Sequence, residues 1–118
     1  LGICLGHQLI AKTYGGQIDT SNTESYAKVE INIVNDENLF AGLAPKTEVW
    51  SSHKDEVKTI PDDFEILANS NLCDVESFKH TKKDVYGIQF HPEVHHTPKG
   101  STIFENFYEI CKKRCNND

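Results

Sequence analysis

The pentapeptide Gly2-Ile3-Cys4-Leu5-Gly6, set between an apolar opening and a run of helical periodicity, constrains the fold more than any other stretch of the chain. Glycines flanking a nucleophile-type residue at this spacing mark a strand that enters a tight turn and leaves it as a helix. Side chains at both glycine positions would crowd the neighbouring strand and helix. The central residue would take a strained backbone conformation that pushes its side chain outward. Leu1-Gly2-Ile3 is therefore expected to be the end of a buried strand. From His7 to Tyr14 a short helix is expected, because Leu5/Leu9 and Ile10/Tyr14 fall four apart. Gly15-Gly16 offers the left-handed position that commonly ends a helix.

At the N-terminus of that helix, the backbone N–H of Leu5 would point towards a developing oxyanion, and the helix dipole would lower the thiol pKa of Cys4. Cys4 is thus expected to be a thiolate. The plain alternative is a small buried hydrophobe, which most free cysteines are. A cysteine nucleophile needs a base within reach, and the base needs a third group to fix its tautomer. His91-Pro92-Glu93, at the end of the apolar run Val85 to Phe90, can supply both. If extended geometry persists through Pro92, the two side chains project to one side and the carboxylate can hold the imidazole. Alone, the histidine reads as a satisfied or surface residue and the glutamate as solvated; the combination with Cys4 favours catalysis.

The remaining pattern is mostly extended. Between Tyr26 and Val34, Val29, Ile31 and Ile33 alternate with Lys28, Glu30 and Asn32, the period of a half-buried strand. Asn35 to Leu43 suggests a single helical turn stopped by Pro45. Thr47–Ser51, Phe64–Ala68, Val75–Phe78 and Val85–Phe90 read as further strands, forming a β-meander punctuated by Pro61-Asp62-Asp63 and Thr81-Lys82-Lys83-Asp84. From Ser101, Ile103, Phe104, Phe107, Ile110 and Cys111 follow helical spacing, with Thr102 and Glu105 as a capping box.

Composition narrows the classes. At 118 residues the chain is one domain or part of one, since domains run to about 100–150 residues. A net charge of −6 makes nucleic acid a poor partner. No apolar run approaches the roughly 20 residues of a membrane helix. The four cysteines lack the spacing of a disulfide scaffold, and no signal-peptide pattern opens the sequence, so a cytoplasmic location is expected. His95 and His96 lack a spaced ligand set, and no metal site is expected. Cys111 and Cys115 read as a core residue and a terminal one.

With these residues in view, the whole chain resembles a class I glutamine amidotransferase domain. Three segments carry the resemblance: Gly2-Ile3-Cys4-Leu5-Gly6-His7-Gln8, Ser52-His53-Lys54-Asp55-Glu56-Val57, and Gly87-Ile88-Gln89-Phe90-His91-Pro92-Glu93-Val94. The resemblance implies a three-layer α/β, flavodoxin-like fold, present as its C-terminal part with a β-meander and a terminal helix. Cys4, His91 and Glu93 would be the triad and Leu5 an oxyanion-hole donor. Gln8, Ser52 and His53 would lie at the glutamine pocket. Within the family, Ser52 to Val57 and His96-Thr97 with Gly100 resemble the amidotransferase subunits of archaeal-type GMP synthetases. In that branch Asp55 would couple the pocket to the partner.

That branch implies hydrolysis of L-glutamine and delivery of ammonia to an ATP-pyrophosphatase subunit, which converts XMP to GMP. ATP and Mg2+ would be used by that partner; this chain has no phosphate-binding G-x-x-x-x-G-K-S/T loop and needs no cofactor for its half-reaction. The resemblance also implies that residues 1–118 are a single domain lacking roughly the first 70 residues of the family domain, with a Gly-Gly segment that completes the oxyanion hole, which could leave the chain inactive alone. Two alternatives stand beside this reading: a non-catalytic partner-binding fragment, and a cysteine hydrolase of another pathway acting on γ-glutamyl compounds.

Overall fold

The alternation around Val29 and Ile31 lies within a longer strand. In the computed structural model, which describes residues 1–71, 73–94 and 97–116 (the side chains of 21–27, 52–54 and 114–116 excepted), β2 runs Gln17–Ile33 and β3 runs Lys46–Thr59. They pair antiparallel, with Val29 opposite Val49 and Ile31 opposite Thr47. All four side chains are buried, and this one-sided burial sets the register, because a one-residue slip would turn every core side chain to solvent. The outer face carries Lys28–Glu48 and Lys46–Glu30 pairs at 3.6 and 3.4 Å, exposed contacts that contribute little to stability. β3 runs on through Ser52 to Val57, beyond the expected strand Thr47–Ser51.

Around this hairpin are β1 (Gly2–Ile3), α1 (Leu5–Thr13), a 3₁₀ turn (Asn38–Phe40), β4 (Phe64–Asn69), β5 (Ser77–His80), β6 (Tyr86–Ile88) and α2 (Gly100–Asn116). The sheet order is β1-β6-β5-β4-β2-β3. Only β1 and β6 are parallel; the other neighbours run antiparallel. The expected meander holds for β4, β5 and β6 but not for the join to the hairpin. β4 pairs with β2, not with β3, through Asn32 opposite Asn69, whose side chains also bond at 3.1 Å. The sheet curls so that its far edge comes round to the segment after β6, where His91 bridges Trp50 of β3.

The sheet is the middle layer of three. On one face α1 lays Ala11 against Val57, Phe64, Val75 and Phe78. On the other, α2 and the 3₁₀ turn cover Ile31, Val49, Leu67, Ile88 and Phe90 with Leu39, Phe40 and Ile103. Asn106 Nδ2 ties these covering pieces together by donating to the carbonyls of Leu39 and Ala41. Leu5 and Leu9 on the outward side of α1 are 64% and 54% exposed.

Helix ends follow backbone chemistry, with one departure. α1 stops as expected: Gly15 has φ +96°, its N–H donates to the Lys12 carbonyl, and that of Gly16 donates to Ala11, the paired bonds of a left-handed C-terminal cap. α2 starts at Gly100, so Thr102 lies inside its first turn and cannot form the expected capping box. Its buried stripe is narrower than the sequence suggested. Ile103 is fully buried and Phe107 and Ile110 pack partly, but Phe104 is 38% exposed, and Cys111 is exposed and outside the core. Cys115 lies outside the described side chains.

Candidate active site

Cys4 joins β1 to α1 with φ 54° and ψ −100°, a conformation that costs a non-glycine residue about 1–3 kcal/mol. Its N–H donates to the Ile88 carbonyl at 2.8 Å. Since Gly2 pairs with Gly87 and Ile3 with Ile88, continuation of the register sets Cys4 beside Gln89. The two motif glycines do different work. A Cβ on Gly2 would come within 2.6 Å of the Gly6 carbonyl, whereas one on Gly6 would meet nothing within 4 Å. The expectation that both relieve crowding therefore holds for Gly2 alone. Gly87 does the equivalent job on β6, where a Cβ would strike Phe78 and the ring of His7.

The sulfur is half-buried. Burial raises the Cys4 pKa above the ordinary thiol value; the Leu5 backbone N–H lowers it, the Glu93 charge raises it, and the Gln89 amide lowers it. The net direction is upward, which corrects the expectation of a standing thiolate. The helix N-terminus does supply a donor through Leu5, but desolvation outweighs it. Catalysis at this sulfur therefore requires a base to take its proton.

His91 and Glu93 meet, though not in the expected way. His91 makes only an isolated bridge, and Pro92-Glu93 is a turn, so the carboxylate reaches the ring by chain reversal. Nδ1 of His91 lies 2.9 Å from Glu93 Oε1. A carboxylate only accepts, so Nδ1 carries the proton and Nε2 is left for proton transfer. The backbone of His91 is clamped twice. Its N–H donates to the Trp50 carbonyl at 2.9 Å, while buried Thr97 accepts from the Trp50 N–H at 2.9 Å and donates to the His91 carbonyl at 2.6 Å. Below the turn, a Cβ on Gly100 would lie 1.8 Å from the Pro92 carbonyl oxygen; glycine allows α2 to start there.

Gln8 faces inward and is 8% exposed. Its Nε2 donates to the Asp55 carbonyl at 2.8 Å and to Gln89 Oε1 at 3.2 Å. Asp55 thus enters the site through its backbone. Ser52 and His53 are placed on β3, opposite Tyr26 and Ser25; their side chains, like His95 and His96, lie outside the described residues.

The family description "Glutamine amidotransferase class-I" matches residues 1–111. The chain belongs to the class I glutamine amidotransferases. It is 96% identical over 118 residues to the glutamine-hydrolyzing GMP synthase subunit of Methanobrevibacter smithii, and 60% identical over 112 residues to the protein of the same name in Methanothermobacter thermautotrophicus. These matches take in 100% and 95% of this chain but 62% and 60% of the relatives. A crystal structure from Thermoplasma acidophilum, provisionally assigned as the corresponding GMP synthase subunit, superposes with a TM-score of 0.93 at 39% identity, over 98% of this chain and 58% of that one.

For an amidotransferase domain of this kind, sequence reasoning missed Gln89, Thr97 and Gly100 as parts that hold the site. A signal for Gln89 was present: an amide inside the otherwise apolar run Tyr86 to Phe90, two residues before His91. Thr97 and Gly100 stand out in the sequence only through the resemblance they help carry; their roles at the site are not legible there, because their partners lie on β3 and in the turn at Pro92.

Proposed function

We propose that this chain supplies the glutamine-hydrolysing site of a GMP synthase, with Cys4 as nucleophile, His91 as general base and acid, and Glu93 as orienter of the imidazole. Nε2 of His91 takes the thiol proton as Sγ attacks the side-chain amide carbon of L-glutamine. The Leu5 N–H holds the resulting oxyanion, and His91 returns the proton to the departing ammonia. A γ-glutamyl thioester remains on Cys4. Water, deprotonated by His91, adds to the thioester and releases glutamate, while Glu93 keeps Nδ1–H fixed throughout. Gln8, Ser52 and His53 hold the substrate, and Asp55 couples the pocket to the partner. The ammonia passes to an ATP-pyrophosphatase subunit that uses ATP and Mg2+ to aminate XMP.

Two pieces of geometry support this reading: Cys4 stands at the β1–α1 junction with φ 54° and ψ −100°, and His91 Nδ1 lies 2.9 Å from Glu93 Oε1, which leaves Nε2 for proton transfer. Release of ammonia from glutamine, measured with and without the synthetase subunit, tests the proposal. Low activity alone and a rise on adding the partner are expected, and equal high rates would refute the coupling. Full hydrolysis by a Cys4→Ala variant would remove the triad.

A further inference from the structure

Among the described residues, a backbone carbonyl and two side-chain amides line up behind the sulfur. Asp55 offers the carbonyl, which can only accept, so the NH2 end of Gln8 must face it; the 2.8 Å contact fixes that orientation. The second hydrogen of the same NH2 then points to Gln89, which must present its oxygen, at 3.2 Å. Gln89 is consequently left with its own NH2 directed at Cys4 Sγ, 3.6 Å away. A backbone carbonyl on β3 thus dictates, through two amides, that a donor and not an acceptor faces the nucleophile. Gln89 is fully buried, so its amide keeps this orientation without water competing for its own hydrogen bonds.

We propose that Gln89 is a catalytic residue of this site, donating its amide N–H to the Cys4 sulfur as negative charge develops there, and that Gln8 acts as a positioning residue by locking the Gln89 amide in the donating orientation. The inference rests on Cys4 being the nucleophile. A hydrogen bond to an ionised acceptor is stronger than one to a neutral acceptor, so this donor favours the thiolate over the thiol. It opposes the desolvation that raises the Cys4 pKa. The arrangement also explains why a fully buried amide directly follows β6, in a run that is otherwise apolar or glycine at Tyr86, Gly87, Ile88 and Phe90. Ground-state substrate binding gains nothing from it directly, so its loss falls on turnover.

The test follows Cys4 alkylation by iodoacetamide as a function of pH, with modification mapped by mass spectrometry to separate Cys4 from exposed Cys111, alongside glutamine turnover. In Gln89→Leu the midpoint of the alkylation profile is expected to move up by roughly one pH unit, with kcat down about 10-fold and KM nearly unchanged. Gln89→Glu retains an acceptor for Gln8, guarding against loss of fold, but sets a carboxylate against the sulfur; its midpoint should rise further than that of the leucine variant. Gln8→Leu should give a smaller shift in the same direction. Midpoints unchanged from the parent in both Gln89 variants, with Cys4→Ala inactive, would overturn the role of Gln89 while leaving the triad intact. An active Cys4→Ala would instead overturn the reading on which the inference rests.

Discussion

Replacing Glu76 by glutamine should make the protein more stable in mild alkali and flatten its stability against pH. Glu76 is fully buried. Its Oε2 accepts from the Ser70 hydroxyl at 2.6 Å, and Oε1 has no hydrogen-bond partner among the described residues. Burial raises its pKa from 4.5 to about 7, Ser70 pulls the other way, and the Glu56 charge adds to the rise. Cys73, whose thiol burial also pushes up, faces the same carboxylate. Because the folded-state pKa lies above the unfolded value, the folded protein holds the extra proton between these limits. The contribution to stability is full below pH 4.5 and is lost as pH rises through about 7.

A rise from 4.5 to about 7 corresponds to at most about 3 kcal/mol, most of it lost between about pH 5 and pH 8. For a chain of this size that is a fall in Tm of roughly 10 °C. The Glu76→Gln variant would keep the shape, accept from Ser70 and carry no charge, so its Tm should fall less over the same range. Thermal unfolding followed by circular dichroism at several pH values decides this. Equal pH slopes for the parent and the variant would refute the assignment of a protonated carboxyl to this position.

Two further perturbations separate local roles. Gly2→Ala drives a Cβ into the Gly6 carbonyl and should lower stability by about 1–3 kcal/mol, whereas Gly6→Ala, in open space within α1, should raise it by about 0.5–1 kcal/mol; denaturant midpoints check both, and a fall for Gly6→Ala would contradict the packing described. Thr97→Val removes the hydroxyl that links Trp50 to the His91 carbonyl and should cost about 2 kcal/mol and reduce kcat more than it changes KM; an unchanged kcat would show that the clamp does not position His91.

The parts of the fold written locally were legible in the sequence. Alternation from Lys28 to Ile33 and helical spacing at Ile103, Phe107 and Ile110 each report which face of one element is buried, and the structure buries those faces. The join of β2 to β4 was not legible, since pairing Asn32 with Asn69 depends on contacts far apart in sequence. The same distinction applies at the site. Cys4 and the His91–Glu93 pair are short motifs whose chemistry shows in residue types and spacing. The protonation of Cys4 was misjudged because a helix N-terminus can be read from sequence, while the burial that outweighs it comes from tertiary packing. Gln89 stands out in the sequence as an amide in an apolar run, but its contact with Cys4 depends on β1 lying parallel to β6.

Covalent trapping of Cys4 by an electrophilic analogue of glutamine tests the proposed nucleophile most directly, with the adduct located by peptide mapping. A single adduct on Cys4, formed far more slowly in His91→Asn and blocked by excess glutamine, is the predicted result. Modification that proceeds equally fast in His91→Asn, or that falls on Cys111 as readily as on Cys4, would contradict a sulfur that depends on its neighbouring imidazole for reactivity.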